Sequence, residues 1–178
     1  INDMLFMHGG IGPTYPAADR DALNGAVQAA LSGHAQSGPL GDILENENGP
    51  LWYRGLAINA EAGELPNVDT LLQRFGVAHI ILGHTKRAPL VLPRFGGKVV
   101  LTDIAVPSGT ADPHAYLIVE NGVFTAVYRG QRIPLGDMSD ATRCAYLGQT
   151  ATIDQGQGPV VNLATHCDLA AVGMTTAQ

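Results

Sequence analysis

Two short apolar runs, each ending on glycine and histidine, constrain this chain more than any other feature. The first is Met4–Met7, followed by His8-Gly9-Gly10. The second covers residues 77–82 and is followed by Gly83-His84-Thr85. An apolar run of this length between turn residues reads as a buried strand, and glycine beyond it permits a tight turn and close approach of a ligand. In α/β sheets, ligands collect at the carboxyl ends of strands. His8 and His84 therefore stand where a site would be. Imidazole binds borderline transition metals and does so in its neutral form at pH 7. A lone histidine here would be read as capping its strand with a hydrogen bond. The repetition leaves both readings open.

The rest of the chain supports an α/β class. Residues 19–31 read as a helix, with Leu23, Ala26, Val27, Ala30 and Leu31 on one face and Gly33 as its stop. Residues 32–49 are rich in Gly, Asn, Ser and Glu and read as a surface loop. Residues 66–75 read as a second helix, with Asn67 as N-cap and Gly76 at the C-terminal end. Residues 99–101, 114–120 and 123–128 read as strands, and Asn121-Gly122 is a type I′ hairpin signal. Residues 131–135 add a short strand. Beyond Gly136 periodicity is poor: residues 142–147 suggest one helical turn, and the last ten residues suggest disorder. This divides the chain into a domain over 1–136 and a partly irregular extension over 137–178.

Composition narrows the function classes. The 178 residues carry 15% charged residues and a net charge of −6, which argues against an electrostatic binder of nucleic acid or of an acidic membrane. Phosphate chemistry in such a chain needs concentrated positive charge, such as metal ions. No apolar stretch is long enough for a transmembrane helix. Cys144 and Cys167 show no zinc spacing; they are either free thiols or a pair formed in an oxidising compartment. Ile1 leads directly into the first strand, as if the natural protein began upstream.

Leu5-Phe6-Met7-His8-Gly9-Gly10-Ile11 resembles the HGG motif of calcineurin-like metallophosphoesterases, and Ile80-Ile81-Leu82-Gly83-His84-Thr85 resembles their GHT motif. Between them, Gly49-Pro50-Leu51-Trp52-Tyr53-Arg54-Gly55 is similar to the WxR segment of bacterial members, and residues 92–103 are similar to the strands that return after GHT. Order and spacing agree from Met4 to Leu135. The resemblance implies the C-terminal half of a layered β-sandwich flanked by helices, an incomplete calcineurin-like phosphoesterase fold. It implies hydrolysis of phosphate esters at a two-metal centre holding Mn, Fe or Zn. His8 and His84 would ligate the second metal, and Arg54 would hold substrate phosphate through a guanidinium fork. Trp52 is read as packing beneath the loop. The partner would be a phosphomonoester or phosphoprotein, and the setting bacterial, periplasmic or cytoplasmic.

Two departures qualify that picture. Lys86 stands where many phosphodiesterases place a second histidine, which favours the branch similar to serine/threonine phosphatases. The DxH, GDxxD and GNHE motifs do not occur, so the chain alone is expected to be inactive. Asp42, Asp69 and Asp103 lie in no matching motif, and residues 106–110 depart from the usual pattern after the return strand. His79 reads as core, His34 and His166 as loop residues, and His114 as a strand start. One rival, an α/β-hydrolase, lacks its G-x-S-x-G pentapeptide. The other is a truncated or degenerate phosphoesterase domain serving as a non-catalytic binding module.

Overall fold

The computed structural model describes residues 1–34, 37–104 and 115–167. Four strands form one sheet: β1 (Met4–Met7), β2 (His79–Leu82), β3 (Leu92–Arg94) and β4 (Val99–Leu101), in the order β1-β2-β4-β3. The first three in that order run parallel, and β3 is antiparallel to β4. Strands β5 (Ala115–Glu120), β6 (Val123–Tyr128) and β7 (Gln131–Pro134) form a separate antiparallel meander. Asn121 and Gly122 both have positive φ, 52° and 77°, as a type I′ turn demands. The expected start at His114 lies outside the described residues, as do residues 106–110 and the last ten.

Helix α1 (Arg20–Leu31) begins where Asp19 accepts a hydrogen bond from the Ala22 amide at 2.8 Å. Leu23 and Ala26 are buried, whereas Leu31 faces solvent, so the apolar stripe is shorter than its sequence suggests. A short helix α2 (Gly55–Ile58) precedes α3 (Glu61–Phe75). Helix α3 starts earlier than residue 66, and Asn67 is not its cap. Pro66 lies inside the helix and removes one helical hydrogen bond. Buried contacts of Glu61 and Glu64 compensate by fastening the first turns to the rest of the molecule.

The largest departure is α4 (Asp140–Ile153), where the sequence suggested a single turn. Its Thr- and Ala-rich pattern is weak, and tertiary bonds hold it instead. Ser139 caps it, Tyr146 donates to the Val91 carbonyl at 2.8 Å, and Arg143 reaches Glu61 at 2.9 Å. Helix α5 (Pro159–Thr165) folds back along α4, and a Cys144–Cys167 disulfide closes this hairpin. Of the two alternatives left open for the cysteines, the pair is the one realised.

Core residues come from both sheets and the helices. His79 joins the two sheets: its ring centroid is 4.6 Å from that of Phe124, and Nδ1 is 2.9 Å from the Gly97 carbonyl oxygen. Strand β1 is less buried than its apolar sequence predicts, since Phe6 is 54% exposed. Beside it runs an open groove of about 930 Å³ lined by Met4, Phe6, Leu23, Val27 and Phe75.

Candidate functional site

His8 is the first residue beyond β1. Met7 pairs with Leu82 in the parallel register, so His84 stands two residues beyond the matching end of β2. Parallel strands deliver their carboxyl ends to the same edge, and the two imidazoles meet there with centroids 4.6 Å apart and planes 52° apart. His84 adopts φ 63°, the left-handed region that costs a non-glycine residue energy and is commonest at functional positions.

Arg54 arrives from the loop that precedes α2. Its Nε and Nη2 lie 3.3 and 3.2 Å from Nε2 of His84. With Nε2 accepting from Arg54, the ring proton of a neutral His84 sits on Nδ1. The chemistry favours that neutral form. Partial burial depresses the His84 pKa, with the neighbouring His8 and Arg54 adding to the effect and Asp103 opposing it. Trp52 stands edge-on to His84 at 5.5 Å between centroids. It is 45% exposed and its indole donates to the Leu44 carbonyl at 2.7 Å. It is therefore a half-open wall of the site and not buried packing beneath the loop.

The glycines next to His8 and Arg54 permit this approach. The Gly9 amide donates to the Pro50 carbonyl at 2.8 Å, and the Gly10 amide to that of Tyr53 at 2.7 Å. A Cβ on Gly9 would lie 3.1 Å from backbone atoms of Pro50 and Leu51, and one on Gly55 would collide with the Tyr53 phenol. The groove beside β1 reaches His8, Pro50 and Leu51, but neither Arg54 nor His84 lines it. The chemistry thus sits at one end of the groove.

All three site residues expected from sequence come together. The structure adds Trp52 as a flanking aromatic and Glu64 as a buried carboxylate behind the Arg54 loop. Glu64 lies in a helix whose start the sequence misplaced, and no motif pointed to it. His34, His79 and His166 have no contact with the cluster among those described. Cys144 and Cys167 are joined to each other, and neither is a free thiol.

No family model matches the chain. An uncharacterized protein of Schizosaccharomyces pombe is 28% identical over 137 residues, 73% of this chain and 41% of that protein. Among solved structures, the cold-active protein-tyrosine phosphatase of a psychrophilic Shewanella species matches with TM-score 0.62 and 32% identity, over 76% of this chain and 41% of that one. A point mutant of a cold-active protein tyrosine phosphatase matches with TM-score 0.63 at the same identity and coverage. The chain thus spans about two fifths of the proteins it resembles.

These matches correct the family expectation. The solved neighbours are named protein tyrosine phosphatases and not calcineurin-like metallophosphoesterases, which overturns that expectation. The half-sandwich fold assigned through the latter family gives way with it, as does metal-dependent ester hydrolysis as the activity. The expected centre of two Mn, Fe or Zn ions is corrected too. Among the described residues, no group of three or more His, Cys, Asp or Glu side chains is placed to hold a metal ion. His84 contacts both His8 and Arg54, a set that offers hydrogen-bond donors to an anion.

Proposed function

We propose that this chain carries the phosphate-recognition part of a phosphatase site, and that its substrate is a phosphorylated protein or peptide. The Arg54 fork beside two imidazoles at the ends of parallel strands carries this reading. A guanidinium presents paired donors that match phosphate oxygens. Against a net charge of −6, such local placement is what a dianionic ligand needs. His84 Nε2 now occupies two of the Arg54 donors. An incoming phosphate would take those donors over, with the imidazoles along its flank.

The role fits the solved neighbours, which are protein tyrosine phosphatases. Trp52 offers a half-exposed aromatic edge beside the cluster, and the phenyl ring of a phosphotyrosine would pack against it. With both cysteines in a disulfide, no thiolate of this chain serves as nucleophile in this state. The chain's part is to bind and orient the phosphoryl group and to stabilise its charge. Calorimetric titration with inorganic phosphate and with phosphotyrosine tests this. Saturable one-site binding that NMR places at Arg54 and His84 is expected. Absence of binding at millimolar phosphate, or binding mapped elsewhere, overturns it.

A further inference from the structure

Glu64 is a carboxylate in the first turn of α3 with no part in the cluster just described, and it is only 5% exposed. Burying a carboxylate is costly unless donors surround it. Here the donors come from three places. Tyr53 Oη donates to Oε1 at 2.8 Å, Asn59 Nδ2 to Oε2 at 2.7 Å, and Asn67 Nδ2 to Oε1 at 2.7 Å. Tyr53 immediately precedes Arg54, and Asn59 closes α2, the helix that Arg54 begins. The same Asn67 amide also donates to the Ile11 carbonyl at 2.9 Å, at the end of the His8-Gly9-Gly10 turn. The Gly10 amide in turn donates to the Tyr53 carbonyl.

Both loops that build the cluster therefore converge on one carboxylate. Tyr53 and Asn59 bracket Arg54 from either side, and Asn67 extends the same network to the turn behind His8. An apolar side chain of similar size would fill the space but would leave the half-buried Tyr53 hydroxyl and the Asn59 amide without this acceptor, and Asn67 with only the Ile11 carbonyl. It would also leave the Arg54 loop free to choose among several packings. We propose that Glu64 is a positioning residue, which sets the Arg54 guanidinium against His84 by fixing Tyr53 and the His8 turn to helix α3. It acts through those residues and touches no substrate. The proposal rests on the phosphate-recognition reading above for its purpose, though not for its geometry.

The test uses the full chain and two variants. Glu64→Gln keeps the shape but turns one carboxylate oxygen into an amide donor, so either Asn59 or the Tyr53–Asn67 pair loses its acceptor. Tyr53→Phe removes a single donor and leaves the carboxylate two others, so it keeps the fold. Each variant is studied well below its melting temperature. Two readouts are taken: affinity for inorganic phosphate, and the NMR resonance of the Arg54 Nε–H, which the bond to His84 shifts and protects from exchange. Phosphate binding roughly tenfold weaker is expected in both variants, the scale of one charge-assisted hydrogen bond. The Arg54 resonance should lose its protection. A purely structural role would lower the melting temperature and leave both readouts alone in the folded protein; that result overturns the proposal. Should Glu64→Gln fail to fold, Tyr53→Phe decides. Should the wild type bind no phosphate, the functional reading falls, and the Arg54 resonance still decides the positioning role.

Discussion

Arg54 and His84, thirty positions apart, share one contact: two guanidinium nitrogens lie 3.2–3.3 Å from a single imidazole nitrogen. The guanidinium is fixed by a neutral acceptor that a phosphate oxygen can displace. Arg54→Lys retains the charge and loses the fork. Inorganic phosphate should then bind roughly 10- to 100-fold more weakly, the worth of about 1.5–3 kcal/mol in charge-assisted bonds. The melting temperature should stay within a degree or two, because Arg54 is exposed and surface contacts contribute little. Calorimetry and thermal unfolding check both, and unchanged affinity would remove Arg54 from the site.

Trp52 separates aryl from alkyl phosphates. Replacing it by leucine should weaken phenyl phosphate or phosphotyrosine binding roughly 2- to 10-fold, from about 0.5–1.5 kcal/mol of aromatic packing. Inorganic phosphate has no ring to lose, and its affinity should not change. A parallel titration of both ligands is decisive, and an equal loss for the two would place Trp52 in loop structure alone.

These two residues show what the sequence could reveal about the site. His8 and His84 stood out because strand ends and glycines leave a local signature, an apolar run followed by a polar residue at a turn, whereas Arg54 was pointed to only by resemblance to the WxR segment. Trp52 was visible, yet its exposure depends on how the loop lies over His84, which no local pattern encodes. Glu64 was hidden because its partners, Tyr53, Asn59 and Asn67, gather around it only in the folded chain. The same limit explains the helices. Helix α1 and the β5–β6 hairpin follow from capping and turn chemistry, whereas α4 depends on Arg143, Tyr146 and Cys144 finding partners far away in sequence. The family name read from short motifs was not secure, for such motifs specify turns and donors before they specify a reaction.

Reducing the Cys144–Cys167 bond should destabilise the chain by about 3 kcal/mol, the entropy of freeing a loop of this size, given that the cysteines are 23 positions apart. The bond ties α5 to α4, and neither cysteine contacts the Arg54 cluster. Phosphate affinity of the folded fraction should therefore survive. Urea unfolding with and without reductant measures the first effect, and titration under reducing conditions the second. Loss of binding in a folded, reduced chain would contradict this separation.

Glu61 neutralises two buried guanidiniums, with Arg143 at 2.9 Å and Arg94 at 3.4 Å. Arg94 also donates to the carbonyls of Leu56 and Asn59. Burial pulls its pKa down to about 10 even though Glu61 opposes the fall. Glu61→Gln leaves Arg94 without a counter-charge and Arg143 with only the exposed Asp140 at 2.8 Å, and should destabilise by about 3–5 kcal/mol. Arg143→Met should destabilise less, since Glu61 and Arg94 then remain paired. Denaturant midpoints for both variants check the order, and a reversed order would mean that the network is not electrostatically closed.

Alkaline pH should unfold the chain through its tyrosines. Burial, aided by a 2.6 Å bond to Asp154, raises Tyr128 to about 12. Burial also raises Tyr15, Tyr53 and Tyr146. A raised folded-state pKa means that the neutral phenol is favoured in the native state. Its contribution is complete below pH of about 10 and is lost as pH climbs toward about 12. Tyrosinate absorbance should therefore rise in two phases, the later one coinciding with loss of helical circular dichroism. A single phase near pH of about 10 in the folded protein would refute it.

The parallel register of β1 and β2 also bears on how the chain tolerates lengthening and shortening. Met7 lies level with Leu82, so the meeting of the imidazoles depends on His8 standing one residue past its strand and His84 two. Turns between the strands that lie away from the segment carrying Arg54 and its Glu64 network can gain or lose residues while this stagger stays intact. A single residue inserted between Leu82 and His84 would carry that imidazole about 3.3 Å further and turn it to the opposite face. The sheet works as a gauge for the site: indels are harmless where they change the length of the journey and ruinous where they change the last step.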